Sequence, residues 1–214
     1  MSLIRLFAAA FVLAILSACA TAPGLPETTY YRLPEPATPE RLPEPAVTLP
    51  IVVDTFFADG LYSDQALIYT LDADASRLRT YHYQLWIDPP VRLLQRRFIT
   101  TLRGAGISRI VTDRLPAQMD TLHVTGRIAR LERVRTEAGW DVAVTLVMRA
   151  EPSAGGRPWV IGEYHRQLPV QGDGVAESVR VFGLALDQIG VEFVADLTQR
   201  AHDHAPPHDT PRIR

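Results

Sequence analysis

The stretch from Trp140 to Arg149 constrains the fold more than any other. Trp140, Val142, Val144, Leu146 and Met148 are apolar at every second position, and Asp141, Ala143, Thr145 and Arg149 fall between them; only Val147 breaks the second face. A period of two is that of a strand with one buried face. Upstream, Thr121–Val134 also reads as strand, closed by the turn residues Glu137-Ala138-Gly139. Leu122, Val124 and Ile128 share one face there, while Ala129 and Leu131 continue on the other, which predicts a bulge near Gly126–Ala129. Downstream, Gly155-Gly156 turns the chain into a third strand, Trp159–Val170. Three consecutive strands with short connections predict an antiparallel meander.

Two segments carry helical periodicity instead. Asp88-Pro89-Pro90 predicts a helix start with Asp88 as N-cap and proline in the first turn. Val91, Leu94, Phe98 and Leu102 then form one apolar stripe, Arg92, Gln95, Arg96 and Arg103 fall mostly off it, and Gly104 and Gly106 end the helix. A second helix spans about Val175 to Arg200. Its stripe, Val175, Val179, Phe182, Leu186, Ile189, Phe193 and Leu197, is spaced by threes and fours, close to a heptad seam. Leu184, Ala185, Val191 and Val194 widen the apolar face, which fits packing on a sheet or a partly exposed partner surface. After Ala201 the chain is polar and contains prolines, and residues 202–214 read as a disordered tail.

The remaining strand patterns are Val47–Phe57, with Pro50 placing its start near an edge, Ala66–Asp72, Arg79–Ile87 and Ile107–Thr112. Together these predict one domain over 47–201, α+β in class: an α/β sandwich with a mixed, mostly antiparallel sheet and two main helices packed on it. Ahead of it, residues 20–50 hold 8 of the 17 prolines, and RLPEPA occurs twice, at Arg32–Ala37 and Arg41–Ala46. Such a segment favours extended chain and cannot propagate a helix, so 19–46 reads as a tether. Within it, Thr29-Tyr30-Tyr31-Arg32-Leu33 is an island of strand-forming residues suited to docking on the domain.

The N-terminus explains what is tethered. Arg5 is followed by an apolar run of 11 residues, Leu6 to Leu16, then by the small residues Ser17 and Ala18 and by Cys19, the one cysteine of the chain. Charge, apolar run and small-residue cleavage site in that order read as a secretory signal peptide over 1–18, and the run is shorter than the ~20 residues a spanning helix needs. A single cysteine forms no internal disulfide. The sequence Leu16-Ser17-Ala18-Cys19 closely resembles a bacterial lipobox. That resemblance implies diacylglyceryl attachment at the Cys19 thiol, cleavage before Cys19 and acylation of its freed amine. With each buried CH₂ contributing about 0.8 kcal/mol, two or three chains hold firmly where one is marginal. Ala20, rather than Asp, implies by the usual sorting rule the periplasmic face of the outer membrane.

All 22 basic residues are arginine, against 24 acids. Loss of residues 1–18 removes only Arg5, so the mature chain stays near neutral and has no general electrostatic pull toward nucleic acid. No phosphate loop and no Gly-x-Ser-x-Gly elbow is present. Asp72 and Asp74 read as a solvated turn, since no glycine or downstream glutamate completes a calcium loop. His82, His123 and His165 lie one per strand and read as surface or hydrogen-bonded histidines; His202, Asp203, His204, His208 and Asp209 read as an incidental metal scavenger. Arg96-Arg97 is a mild basic patch with a solvated helix face as its plain reading. No cofactor and no catalytic set is expected, which favours binding over catalysis.

A wider pattern emerges from these pieces. The lipobox cysteine is followed by Thr29-Tyr30-Tyr31-Arg32-Leu33, Ile51-Val52-Val53, Gly60-Leu61 and Ile68-Tyr69. Then comes Tyr81-His82-Tyr83-Gln84-Leu85-Trp86-Ile87-Asp88-Pro89-Pro90, leading into Leu93-Leu94 and Leu102. Over about residues 16–200 this resembles the ABC-type transport auxiliary lipoproteins, the group of the paraquat-inducible lipoprotein C. The chain departs from the pattern at Leu85-Trp86-Ile87-Asp88, where an Arg-Trp-Ala run is common, and in the aromatic Thr55–Asp59. The resemblance implies a non-enzymatic outer-membrane lipoprotein with an α/β sandwich fold. It implies partnership with an MCE-domain protein and an inner-membrane transporter in moving lipid across the periplasm, and assembly into homo-oligomeric rings. The alternative is an envelope assembly lipoprotein that binds another outer-membrane or cell-wall machine. A periplasmic hydrolase requires the strand histidines to converge with a carboxylate in a cleft.

Overall fold

The structure is a computed structural model and describes residues 26–72 and 76–204. The expected signal peptide and Cys19, Asp74 of the expected turn, and His208 and Asp209 of the expected tail lie outside the described residues. In chain order the elements are β1 (Thr29–Tyr31), β2 (Ile51–Val53), β3 (Phe57–Ala58), a 3-10 turn (Gly60–Ser63), β4 (Ala66–Thr70) and β5 (Arg79–Trp86). There follow α1 (Pro90–Ala105), β6 (Val111–Thr112), β7 (Leu122–Thr136), β8 (Gly139–Pro152), β9 (Val160–Val170) and α2 (Val175–His204).

The sheet is organised around β7. One of its edges carries the meander: β8 pairs with it antiparallel from Leu122↔Pro152 to Thr136↔Gly139, and β9 pairs with β8 from Trp140↔Val170 to Ala150↔Val160. The other edge accepts three short strands in succession, all parallel: β2 beside Leu122–Val124, β3 beside Arg127–Ile128 and β4 beside Glu132–Val134. Beyond them, β6 adds parallel to β2, β5 antiparallel to β4, and β1 parallel to β5. The fold is therefore α+β, with a mixed sheet, nine-stranded among the described residues, that is antiparallel along β7–β8–β9 and at β4–β5 and parallel elsewhere.

The bulge falls where the sequence places it, between Ile128 and Arg130. It coincides with the gap between β3 and β4 on the opposite edge of β7, which the 3-10 turn fills. From that turn Tyr62 donates its hydroxyl to Glu132, a carboxylate only 1% exposed whose other oxygen accepts from Arg130 Nη2 at 2.6 Å. Two stretches differ from the expected strands. Val47–Phe57 is not one strand but β2 and β3 separated by Asp54-Thr55-Phe56, and Ile107–Thr112 shortens to β6 plus a single bridge between Val47 and Ser108.

Both helices lie on one face of the sheet. Val142, Val144, Leu146, Met148 and Ala150 of β8 are fully buried on that face, with Leu122, Val124 and Ile128 of β7 beside them. Burial of one such side chain contributes about 1.5–3 kcal/mol. Phe98 of α1 sits 5.3 Å from Phe56 and 6.2 Å from Phe193 of α2, and Phe193 meets Tyr164 of β9 edge-on at 5.9 Å. Phe56 has room because its neighbour is Gly126; a Cβ there would fall inside the ring. At one end of this face Arg133 is buried with no carboxylate partner among the described residues: its guanidinium lies 4.1 Å over the Trp140 ring and donates to Tyr81 Oη and to the Asp173 carbonyl. The N-cap of α1 is Pro89 rather than Asp88, whose carboxylate instead accepts from Arg96 nearly two turns into the helix. Gly106 closes α1 at φ 65, a left-handed conformation that suits glycine.

Candidate functional site

The proline-rich segment ahead of the domain is built into the fold from Thr29 onward. β1 registers Tyr30 with Leu85 and Tyr31 with Trp86. The Tyr31 hydroxyl donates to Gln84 Oε1 at 2.5 Å, and the Ile87 amide donates to the Tyr31 carbonyl at 2.9 Å. Leu33 then enters the core. The expected strand island is thus docked, and it docks beside the buried Trp86 that precedes α1.

After Leu33 the proline segment lies along the two helices as a strap. Pro34 packs against Gly183 of α2, Pro39 against Gly104 of α1, and the Leu42 amide donates to the Ala105 carbonyl at 2.9 Å. Pro34, Pro36 and Pro39 have no N–H to satisfy, which suits chain laid on helices whose own backbone bonds are closed. The clasp is Arg97. Its Nη1 donates to the Pro34 carbonyl at 2.5 Å, and its Nη2 to the Gly183 carbonyl at 3.0 Å and to Asp187 Oδ1 at 2.6 Å. The same Asp187 oxygen accepts from the Ala37 amide at 3.2 Å. Arg97 is 6% exposed, so the expected solvated Arg96-Arg97 face is corrected: Arg96 faces solvent and pairs with Asp88, while Arg97 ties strap, α1 and α2 together. The doublet shows two basic residues but not that one of them falls on the side facing α2.

The three strand histidines do not converge. His123 sits opposite Glu151 on β8 and His165 opposite Thr145, positions six residues or about 20 Å apart along a strand. His165 Nδ1 lies 2.9 Å from Thr145 Oγ1, and the His82 ring is beside Tyr83. Among the described residues no group of three or more His, Cys, Asp or Glu side chains is placed to hold a metal ion. Asp72 closes its turn as an ion pair with Arg77 at 2.8 Å, and the Arg77 hydrogen bond holds the Asp72 carboxyl below its ordinary value.

One histidine does meet a carboxylate. His123 Nδ1 is 2.8 Å from Asp54 Oδ2, joining β7 to the end of β2, and both residues line a pair of adjoining clefts of about 340 and 300 Å³ with Ser153. Nothing in the sequence signals this pair, whose members are 69 residues apart. Ser153 is engaged in the β7–β8 end: its Oγ accepts from the Thr121 amide at 2.9 Å, and among the described residues no hydrogen bond joins it to His123. The arrangement holds a histidine in one orientation but aligns no nucleophile with it.

The apolar surface left open lies elsewhere. On α2, Ala185 and Val194 are buried with the main stripe, whereas Leu184 (46% exposed) and Val191 (56%) point outward. Among the described residues the long strand β9 pairs only with β8 and carries Ile161 at 66% exposure, and β1 pairs only with β5 and carries Tyr30 at 60%. Edges and outward apolar side chains of this kind are what a partner chain can use. No helix among the described residues is long and apolar enough to cross a membrane.

No family model matches the chain, and no curated protein matches it. Among solved structures, a Xanthomonas campestris protein described as a DUF330 family member superposes with a TM-score of 0.69. It is 16% identical, and the alignment covers 83% of this chain and all of that one. A second, uncharacterised protein gives a TM-score of 0.62 at 14% identity, covering 80% of this chain and 99% of its own. At these identities the likeness is one of fold.

Proposed function

We propose that the chain is a lipoprotein held by acyl chains at Cys19 on the periplasmic face of the outer membrane. There it acts as a non-enzymatic auxiliary component of an MCE/ABC-type lipid transport system, binding an MCE-domain protein and contributing to lipid traffic between the membranes. The observation that carries the reading is that its sequence marks, scattered along the chain, belong to one structural unit. The Tyr30-Tyr31 strand docks against Leu85-Trp86, Leu33 joins the core, and Trp86-Ile87 runs through Asp88 into the helix that buries Leu94 and Leu102. A chain clasped to its domain directly after a membrane anchor suits a subunit that presents fixed surfaces to partners close to the membrane.

The test is co-purification. Full-length protein with its native N-terminus, purified from cross-linked envelopes, is expected to bring down an MCE-domain chain, and the Cys19→Ser variant to leave the membrane fraction. Recovery of cell-wall or other outer-membrane machinery without an MCE chain would favour the assembly-lipoprotein alternative. A hydrolase is the second reading, and the Asp54–His123 pair is what favours it; under the binding account His123→Ala leaves transport within about twofold of wild type.

A further inference from the structure

We infer that the end of α1 carries a binding site for a phosphate-bearing anionic ligand, built by Arg41, Arg103 and Arg109. These three arginines line one cleft of about 550 Å³ whose floor is the chain from Gly106 to Thr112, and no carboxylate lines it. That size lies within the range of ordinary ligand pockets. Elsewhere on the molecule several surface arginines are matched: Arg77, Arg96, Arg127, Arg149, Arg166 and Arg180 each pair with an acid. Among the described residues Arg41, Arg103 and Arg109 show no ion pair; Glu44 lines the neighbouring cleft, which Arg109 also borders. In a chain whose formal charge is -2, three uncompensated cations around one hollow are a local excess.

Two of the three are held in place. Arg103 spends its Nε–H on the Val111 carbonyl at 2.7 Å, which fixes the guanidinium plane and leaves both Nη groups free. Arg41 belongs to the strap, and its Cγ and guanidinium lie against Gly106, within 3.4 to 3.6 Å of where a Cβ would stand. Arg103 alone would serve the carbonyl end of the helix dipole. Arg41 and Arg109 lie outside the helix, so the dipole does not account for them. Guanidinium forks match phosphate oxygens in geometry as well as charge. Ile110, 44% exposed, lines the same cleft, so an apolar contact is offered beside the cations. That combination suits a phospholipid headgroup with the start of its acyl region, although free phosphate shares the anionic chemistry. The site needs no transport partner, so it stands or falls apart from the function proposed above.

The experiment uses the full-length chain in dodecyl maltoside micelles, which carry no phosphate, with binding read by ³¹P NMR line broadening. One arm adds inorganic phosphate; the other adds phosphatidylglycerol to the micelles. Broadening in the lipid arm alone assigns the ligand to headgroups, and broadening in both arms assigns it to phosphate as such. In either case Arg109→Gln should weaken binding about tenfold, with a larger loss in the variant combining Arg41→Ala, Arg103→Ala and Arg109→Gln. Arg109 is exposed and, among the described residues, makes no side-chain hydrogen bond or ion pair, so its single variant should melt as wild type does and decides the matter even if the triple variant unfolds. Broadening in neither arm, or equal binding by wild type and Arg109→Gln, overturns the site.

Discussion

Arg97 on α1 and Asp187 on α2 meet at 2.6 Å beneath the Pro34 carbonyl and the Ala37 amide, so one ion pair fastens two helices and the strap that crosses them. Both members are largely shielded from water, Arg97 the more so. Removing one partner of such a pair strands the other charge, at a cost of about 3 kcal/mol. Asp187→Ala should therefore lower the urea midpoint, and it should speed tryptic cleavage at Arg41 more than tenfold as the strap lifts. Asp187→Asn keeps an acceptor for the Ala37 amide and should fall between. An Asp187→Ala protein with wild-type midpoint and wild-type cleavage would remove the clasp from the account.

Gly126 and Phe56 form a second dependence. Because a Cβ at Gly126 would occupy the Phe56 ring, Gly126→Ala must displace a side chain that packs on Phe98. The expected loss is about 1–3 kcal/mol, as for other overpacked cores. In the double variant Gly126→Ala with Phe56→Leu the second change should cost much less than it does alone, a coupling that a double-mutant cycle measures. Simple additivity would show that the two residues do not compete for space.

Two tyrosines predict weakness to base. Burial pushes the Tyr62 hydroxyl above its ordinary value, and its hydrogen bond to Glu132 adds to this; Tyr164 is raised in the same way by burial and by Asp196, whose carboxylate accepts from it at 2.7 Å. Above about pH 10 the unfolded chain releases these protons while the folded chain keeps them, so the unfolded state binds fewer protons and stability falls as pH rises. Below pH 10 the contribution is fully present. Each group steepens the decline by up to about 1.4 kcal/mol per pH unit. Tyr164→Phe and Tyr62→Phe should each flatten it, measured as urea midpoints between pH 9 and 11; an unchanged slope in both variants would contradict the assignment.

What the sequence makes legible is what is local. The alternation from Trp140 to Met148, the switch of face after Ile128 and the stripe from Val179 to Leu197 all appear as buried faces or a bulge where expected. Partner choice is not local. Nothing near β7 tells that three short strands would align along its other edge, and Val47–Phe57 reads as one strand because apolar residues resume at Phe56 directly after Asp54-Thr55. The proline repeat reads as free spacer by composition; what seats it is the small surface at Gly104 and Gly183, on helices far away in sequence. Arg97, Asp54–His123 and the Arg41–Arg103–Arg109 cleft were hidden for the same reason, since each joins residues from separate elements.

Under the proposed function, the domain, held at Cys19, serves lipid movement between the two membranes. The direct measurement follows pulse-labelled glycerophospholipid between inner and outer membranes of cells lacking the chain. The account predicts a slowed exchange, restored by the wild-type chain and by His123→Ala but not by Cys19→Ser. Exchange at the wild-type rate in the absence of the chain would contradict it.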